Sequence, residues 1–346
     1  MRVAVGLSGG VDSAVSAHLL KEQGYDVTGV YMQCWDSKAD GCRADEDRAE
    51  ALKVAEHLGI PFKHLDFIKE YKAKVIDYFY CEYEAGRTPN PDVLCNKEIK
   101  FGMFLDWALE NGFEKVATGH YARVENGGGK FSLLKGVDET KDQSYFLYLL
   151  GQEQLSKTIF PVGEMTKAEV RKLAKSSKLP NSDRPDSVGI CFIGEVDIRD
   201  FLKKKIKTSP GNVVNKSGEI IGKHDGIPFY TIGQRHGFSV EKYHGLPLYV
   251  IGKNVAKNEL IVGFAVEGQR DSFEVSGLHW IGEPPDRSFE CDVRIRHLGE
   301  LYPASCILVD DKVQVRLADK TFGVAPGQSS VFYDGDIVLG GGVISS

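Results

Sequence analysis

No run of about 18 apolar residues occurs in this 346-residue chain, so a membrane-spanning helix is not expected. A secretory leader pattern is also missing, because a strand-like run begins almost at once, at residues 3–7. The seven cysteines are odd in number and include no C-x-x-C pair, which argues against a disulfide scaffold and a zinc ribbon. A cytoplasmic protein with reduced thiols and no membrane partner is expected. Positive charge is not in excess: 43 Lys and Arg against 49 Asp and Glu leave a formal net charge of −6. That disfavours a general nucleic-acid binder but permits local basic patches. Two common nucleotide signatures are absent where the first glycine loop stands. It lacks the Gly-Lys-Ser/Thr of a Walker A loop and the G-x-G-x-x-G of a dinucleotide fold.

What stands there is a short apolar run (residues 3–7), then Ser8-Gly9-Gly10-Val11-Asp12-Ser13, then a helical stretch over residues 14–24. Val15, Leu19 and Leu20 share one side of that helix, and Gly24 is suited to end it. Strand, glycine turn and helix N-terminus in this order make a phosphate cradle. The first helical N–H groups lack partners within the helix, and the macrodipole adds about half a positive charge. Gly9 and Gly10 let an anion approach the backbone, and Ser8 and Ser13 add hydroxyls. Residues 26–32 form a second strand whose helical connection implies a parallel pair. An adenine site is expected beyond the carboxyl ends of such strands, with Met32 as a wall. Further strands are expected at 62–65 and 115–118, the latter ending at Gly119, where a nucleotide could meet the backbone. Helices are expected over 44–58 and 68–84, and another opening at 141–146. Thr166 and Glu169 form a capping box for a helix reaching 178. The loop around Cys34 and Cys42 lacks metal-ligand spacing and reads as solvated; no metal site is expected.

Two cysteines lie in chemically suggestive settings. Pro89 and Pro91 force an extended turn at Asn90, and Cys95 follows Asp92 in the first turn of the next helix. A helix N-terminus favours thiolate, so Cys95 is a reactive candidate, against the alternative of a buried structural thiol. Cys191 sits between Gly189 and Gly194, in a segment able to move. From residue 209 short β-type runs alternate with turns. The expected fold is α/β: an N-terminal parallel-sheet nucleotide-binding domain (1–208), a small β-rich central domain (209–272) and a C-terminal β-barrel (273–346). Alternation over residues 291–296 points Cys291, Val293 and Ile295 inward and Asp292, Arg294 and Arg296 outward, beside His297. Arg294, Arg296 and the lysines between 203 and 207 could meet phosphate, or simply be solvated.

The Ser-Gly-Gly-x-Asp-Ser loop resembles that of the PP-loop ATP pyrophosphatases. Five further segments extend the likeness: Asn90-Pro91-Asp92 through Cys95-Asn96-Lys97, Ala117-Thr118-Gly119-His120-Tyr121, Lys141-Asp142-Gln143-Ser144-Tyr145, Gly189-Ile190-Cys191-Phe192-Ile193-Gly194 and Thr231-Ile232-Gly233-Gln234-Arg235. Together they resemble the tRNA-specific 2-thiouridylase family over nearly the whole chain. That resemblance implies ATP-dependent 2-thiolation of the wobble uridine of tRNA, through an adenylated base and a cysteine persulfide. It implies that Gly6, Leu7, Ser8, Gly9, Gly10, Val11, Asp12, Ser13, Met32 and Gly119 hold ATP. Mg²⁺ is expected with it, though no protein ligand set is legible. Cys191 would carry the persulfide, Cys95 would be its partner, and Asp92 would shuttle a proton. Asn90, Pro91 and Asp92 would face the target base. His120, Lys141, Asp142, Gln143, Arg296, His297 and Gln328 would contact tRNA, although the family can show tyrosine where His297 stands. The implied partners are tRNA and a persulfide donor, a cysteine desulfurase or sulfur-relay protein. With two thiols, turnover would leave a Cys95–Cys191 disulfide whichever attacks first. Two other readings stand beside this: a PP-loop ligase or amidotransferase using ammonia, and a non-catalytic tRNA-binding protein with ATP as a structural ligand.

Overall fold

The strand β1 (Arg2–Gly6) lies in the middle of a five-stranded parallel sheet. Around it stand β2 (Asp26–Gln33), β3 (Phe62–Asp66) and β4 (Lys115–Ala117). The antiparallel hairpin β5 (Ala122–Gly127) and β6 (Lys130–Lys135) follows, then the short β7 (Thr158–Ile159). The order across the parallel sheet is β3-β2-β1-β4-β7. Ala4 packs into one apolar cluster and Val3 and Val5 into another, so β1 is covered on both faces and reads as an unbroken apolar run. After β1 the chain builds outward through β2 and β3, then returns to lay β4 on the other side. The crevice at the carboxyl ends of β1 and β4 is therefore the switch point where such sheets bind ligands.

The computed structural model describes residues 1–36, 44–186, 189, 191–194, 197–243 and 245–345. Cys42, and Ser187, Val188 and Ile190 of the second cysteine segment, lie outside the described residues. Helix α1 (Val11–Glu22) and the helices Ala44–Leu58 and Lys167–Ser176 match the sequence expectation, the last with Thr166 and Glu169 capping reciprocally. Two expected helices differ. The stretch from Ile68 to Glu84 carries a π-helical turn, Lys72–Ile76, in its middle. Around residue 144 only a 3₁₀ turn forms, Ser144–Leu147, because the Asp142 carboxylate takes the N–H of Ser144 (3.1 Å) and turns the chain.

The second sheet has five strands and its own core of Val213, Ile221, Tyr230, Leu248, Val250, Leu260 and Val262. The third is a barrel whose first strand, Arg270–Trp280, pairs with its last, Ile337–Ile344, to close the ring. That first strand begins ahead of the boundary read from the sequence. The β5–β6 hairpin joins the barrel through Leu133 and Leu134 against Val338 and Ile337, so the first domain is stitched to the barrel by backbone pairing. Among the described residues no helix is long and apolar enough to cross a membrane.

Alternation in the strand Ser288–Arg294 buries Val293, as expected, but Arg294 does not point to solvent. Its guanidinium donates to Asp142 Oδ2 at 2.6 Å, with side-chain exposures of 8% and 1%. A buried carboxylate on the neighbouring domain outweighs the strand's period of two.

Candidate active site

The loop after β1 leads directly into the N-terminus of α1. Gly10 is the N-cap of α1 and supplies no side-chain cap, and Gly9 adopts φ +79°, which its missing Cβ permits. Ser13 Oγ donates to Gly10 O (3.0 Å) and accepts from Ser8 N (3.2 Å), which holds the turn in shape. Met32 packs over Gly6, its Cε 3.1 Å from where a Cβ would stand. Gly119, expected at the nucleotide, packs on the loop. A Cβ there would lie 2.7 Å from Ser13 N and 2.8 Å from Asp12 C, so this glycine lets β4 press against the loop itself. Asp12 accepts from Lys167 Nζ (2.7 and 2.9 Å) and from the Tyr121 hydroxyl (2.8 Å). Lys167 also pairs with Asp186 (2.8 Å), which binds Lys141 and Arg171 as well. Burial works against the Asp186 carboxylate, but these three cations outweigh it and hold its pKa well below the ordinary range. Asn181 Nδ2 (2.8 Å) and Arg184 Nη1 (3.0 Å) both donate to Gly9 O. Lys167, Asn181, Arg184 and Asp186 were not foreseen, since nothing local in the sequence links residues 167–186 to residue 9.

The two cysteines converge beyond the same end of the sheet. Cys95 is fully buried and free, and its thiol faces the sulfur of free Cys191. The Cys191 backbone is held at both ends of its peptide: Asp92 Oδ1 accepts its N–H at 3.0 Å and the Tyr71 hydroxyl donates to its carbonyl at 2.7 Å. The Asp92 carboxyl is pushed up by burial, only partly offset by that N–H and by Lys100. The acidity of the pair is the reverse of the expectation. Burial drives the Cys95 thiol well above the ordinary value, because it lies in the core rather than at the helix mouth, where Asn90 is the N-cap. Cys191 is lowered to about 7 by the hydrogen bond from Cys95 and, against burial, by the Lys100 ammonium. Cys34, buried beside them, is raised by burial and by Cys191.

A π-helix, Cys95–Met103, explains how Lys100 enters the site. Its bonds run from i to i+5, so residues five apart share a face, as Cys95 and Lys100 do. At α-helical period they would diverge, which is why Lys100 escaped notice in the sequence. Lys100 Nζ lies 3.4 Å from His120 Nε2, and His120 Nδ1 meets Thr118 Oγ1 at 2.7 Å. His120, expected against tRNA, is only 7% exposed, and burial holds it neutral.

Other expected RNA contacts divide similarly. Asp142 is buried and accepts from Gly136 N, Ser144 and Arg294, so it is a structural anchor. Gln143 Oε1 accepts the Tyr121 N–H (3.0 Å), and Lys141 is engaged by Asp186 (2.8 Å). His297 packs at a tilt on Phe146 with centroids 4.2 Å apart, and burial lowers it to about 4. Arg296 is exposed. Gln328 Nε2 donates to Thr88 O (2.8 Å), just ahead of Asn90, Pro91 and Asp92. Thr231 Oγ1 of the central domain meets Thr88 Oγ1 (3.0 Å), and Lys253 donates to Gly86 O (2.9 Å). The residues leading into the Asn90 turn are thus gripped by both the central domain and the barrel.

Family models match in three consecutive stretches. Residues 1–195 match the "tRNA methyl transferase HUP domain", residues 199–264 the "tRNA methyl transferase PRC-barrel domain", and residues 270–344 the "Aminomethyltransferase beta-barrel domain". The tRNA-specific 2-thiouridylase MnmA of Burkholderia multivorans is 47% identical over 358 aligned residues, covering 99% of this chain and 93% of the relative. The protein of the same name from Nitrosomonas eutropha is 47% identical, covering 99% and 98%, and that from Bacillus cytotoxicus 46%, covering 99% and 94%. This chain belongs to the tRNA-specific 2-thiouridylase family. The glycine loop and the two thiols all lie within the stretch matched by the first of these models, residues 1–195.

Proposed function

We propose that this chain catalyses ATP-dependent 2-thiolation of the wobble uridine of tRNA. The observation that carries this reading is the pairing of Cys95 with Cys191 beyond the carboxyl end of the sheet whose first loop is Ser8-Gly9-Gly10-Val11-Asp12-Ser13. The loop fits ATP: α1 presents an uncapped N-terminus, and only Ser8 Oγ lies near the position a Cβ of Gly10 would take. Gly6, Leu7, Ser8, Gly9, Gly10, Val11, Asp12 and Ser13 would hold it, with Met32 beside Gly6. When bound, ATP supplies the adenylyl group that turns a uridine carbonyl oxygen into a leaving group. Mg²⁺ would accompany it in this reading. Among the described residues no group of three or more His, Cys, Asp or Glu forms an ion site.

Cys191, with its sulfur favoured as thiolate, accepts sulfane sulfur from a donor persulfide. Cys95 stays protonated until needed and then breaks the Cys191 S–S bond, either after the terminal sulfur has reached C2 or before, releasing hydrosulfide. Asp92, raised by burial, takes the Cys95 proton. Asn90 and Pro91 present the turn to the base, and Arg296 adds an exposed cation for the RNA backbone.

The test is mass spectrometry of nucleosides from tRNA incubated with protein, ATP and a persulfide source. A sulfur-for-oxygen exchange on uridine, with AMP and pyrophosphate released, is expected from the wild type. Cys191→Ser should release pyrophosphate but acquire no persulfide. Cys95→Ser should load Cys191 and stall. A methylated or aminated uridine, or no pyrophosphate release, would overturn the reading.

A further inference from the structure

We propose that Lys100 is a catalytic residue of the sulfur-transfer step, its ammonium held against the Cys191 sulfur to bind it as an anion. The inference rests on the thiolation reading for its chemistry but not for its geometry. Three observations place the ammonium there. The π-helical register turns Cys95 and Lys100 to one side, and both side chains hydrogen-bond the Cys191 sulfur. Lys100 Nζ lies 5.7 Å from the centre of the Phe192 ring, on the residue next to Cys191. On its other side Nζ meets His120 Nε2 at 3.4 Å, where a neutral imidazole accepts and leaves the ammonium its charge. A histidine so placed donates Nδ1–H to Thr118 Oγ1, which sets the tautomer.

The remaining groups around Cys191 do not substitute for this cation. Cys95, Cys34 and Tyr71 are neutral in their raised states, and the Asp92 carboxyl repels a thiolate rather than attracting it. Asp66 and Glu70 act on Cys34 with the same sign. Lys100 is thus the cation that acts on this sulfur most strongly, and burial strengthens the interaction by removing water between them.

The step it serves balances without further reagents. The Cys191 thiolate attacks the terminal sulfur of a donor persulfide, R–S–SH. A Cys191 S–S bond forms, the donor S–S bond breaks, and the donor leaves as R–S⁻ with the proton retained on the transferred sulfur. That persulfide then loses its proton to water, and its anion takes the place of the thiolate beside the ammonium.

The experiment measures the pH midpoint of Cys191 alkylation by iodoacetamide, by peptide mapping of the full chain without tRNA or ATP. Lys100→Met should raise the midpoint by about 1–3 pH units, the range an adjacent opposite charge sets. Lys100→Arg should restore it. Loading of labelled sulfane sulfur from inorganic polysulfide at pH 7 should fall about tenfold or more in Lys100→Met and recover at pH 9, which a merely structural defect would not do. An unchanged midpoint, or loading that stays low at pH 9, would overturn the proposal. A second measurement needs no Lys100 variant. In Cys95→Ala the midpoint should stay below that of an ordinary thiol, because the ammonium remains; a return to the ordinary value would also overturn it. Wild-type protein that loads sulfur but never thiolates tRNA would refute the functional reading alone.

Discussion

Replacing Arg294 by methionine should destabilise the protein by about 3–5 kcal/mol, the cost of stranding a buried charge. The figure follows from position rather than from the ion pair as such. An exposed pair would be worth about 0–1 kcal/mol, but Asp142 is 1% exposed and Arg294 touches it at 2.6 Å. Arg294 also lies over the Tyr333 ring, 5.2 Å from its centre, a contact that methionine keeps only in part. Gly136 N and Ser144 would still donate to Asp142, so the loss belongs at the lower end of the range. Adding Asp142→Asn removes the charge and should recover about 1–3 kcal/mol, making the double variant more stable than Arg294→Met alone. Urea unfolding followed by tryptophan fluorescence and by circular dichroism would measure both changes, with coincident transitions as the check on two-state behaviour. A loss below about 1 kcal/mol for Arg294→Met would mean that water reaches the pair. The strand's outward alternation would then describe Arg294 after all.

Lys167→Met should lower tRNA-dependent pyrophosphate release about 10- to 100-fold, since it removes two charge-assisted bonds from Asp12 in the phosphate loop; an unaltered rate in a folded variant would exclude Lys167 from the ATP site. Gly119→Ala places a Cβ 2.7 Å from Ser13 N, and should cost about 1–3 kcal/mol while weakening the thermal shift produced by ATP; a full ATP shift would show that the loop can give way. His297 is lowered to about 4 in the fold, against about 6.5 when unfolded. Its contribution is therefore complete above pH 6.5 and lost as pH falls toward 4, because only the unfolded chain then takes up the proton. Thermal midpoints from pH 7 to 4 should fall less steeply in His297→Gln; parallel curves would assign the acid sensitivity elsewhere.

The phosphate loop, the parallel sheet and the barrel were legible in the sequence because each is set by local chemistry. Gly9 needs its positive φ, α1 offers its own N-terminus, and β1 shows its two covered faces as a continuous apolar run. Cys95 and Cys191, which the fold brings together, were also singled out in the sequence, through a family resemblance rather than spacing. Their acid strengths were not. A helix start suggested a thiolate at Cys95, but burial of Cys95 and the approach of Lys100 to Cys191 reverse the order, and both depend on neighbours far along the chain. The π-helical register that brings Lys100 to the sulfur breaks the α-helical period that a sequence is read with. Likewise the polar residues His120, Asp142 and Arg294 invite an RNA-facing reading one at a time, and only the folded structure shows them buried. Even the turn before Asn90 takes its support from Gln328, Thr231 and Lys253, residues more than a hundred positions away. Local sequence governs backbone conformation over a few residues. Desolvation and charge pairing are set by what long-range folding brings alongside, and those decide the chemistry of this site.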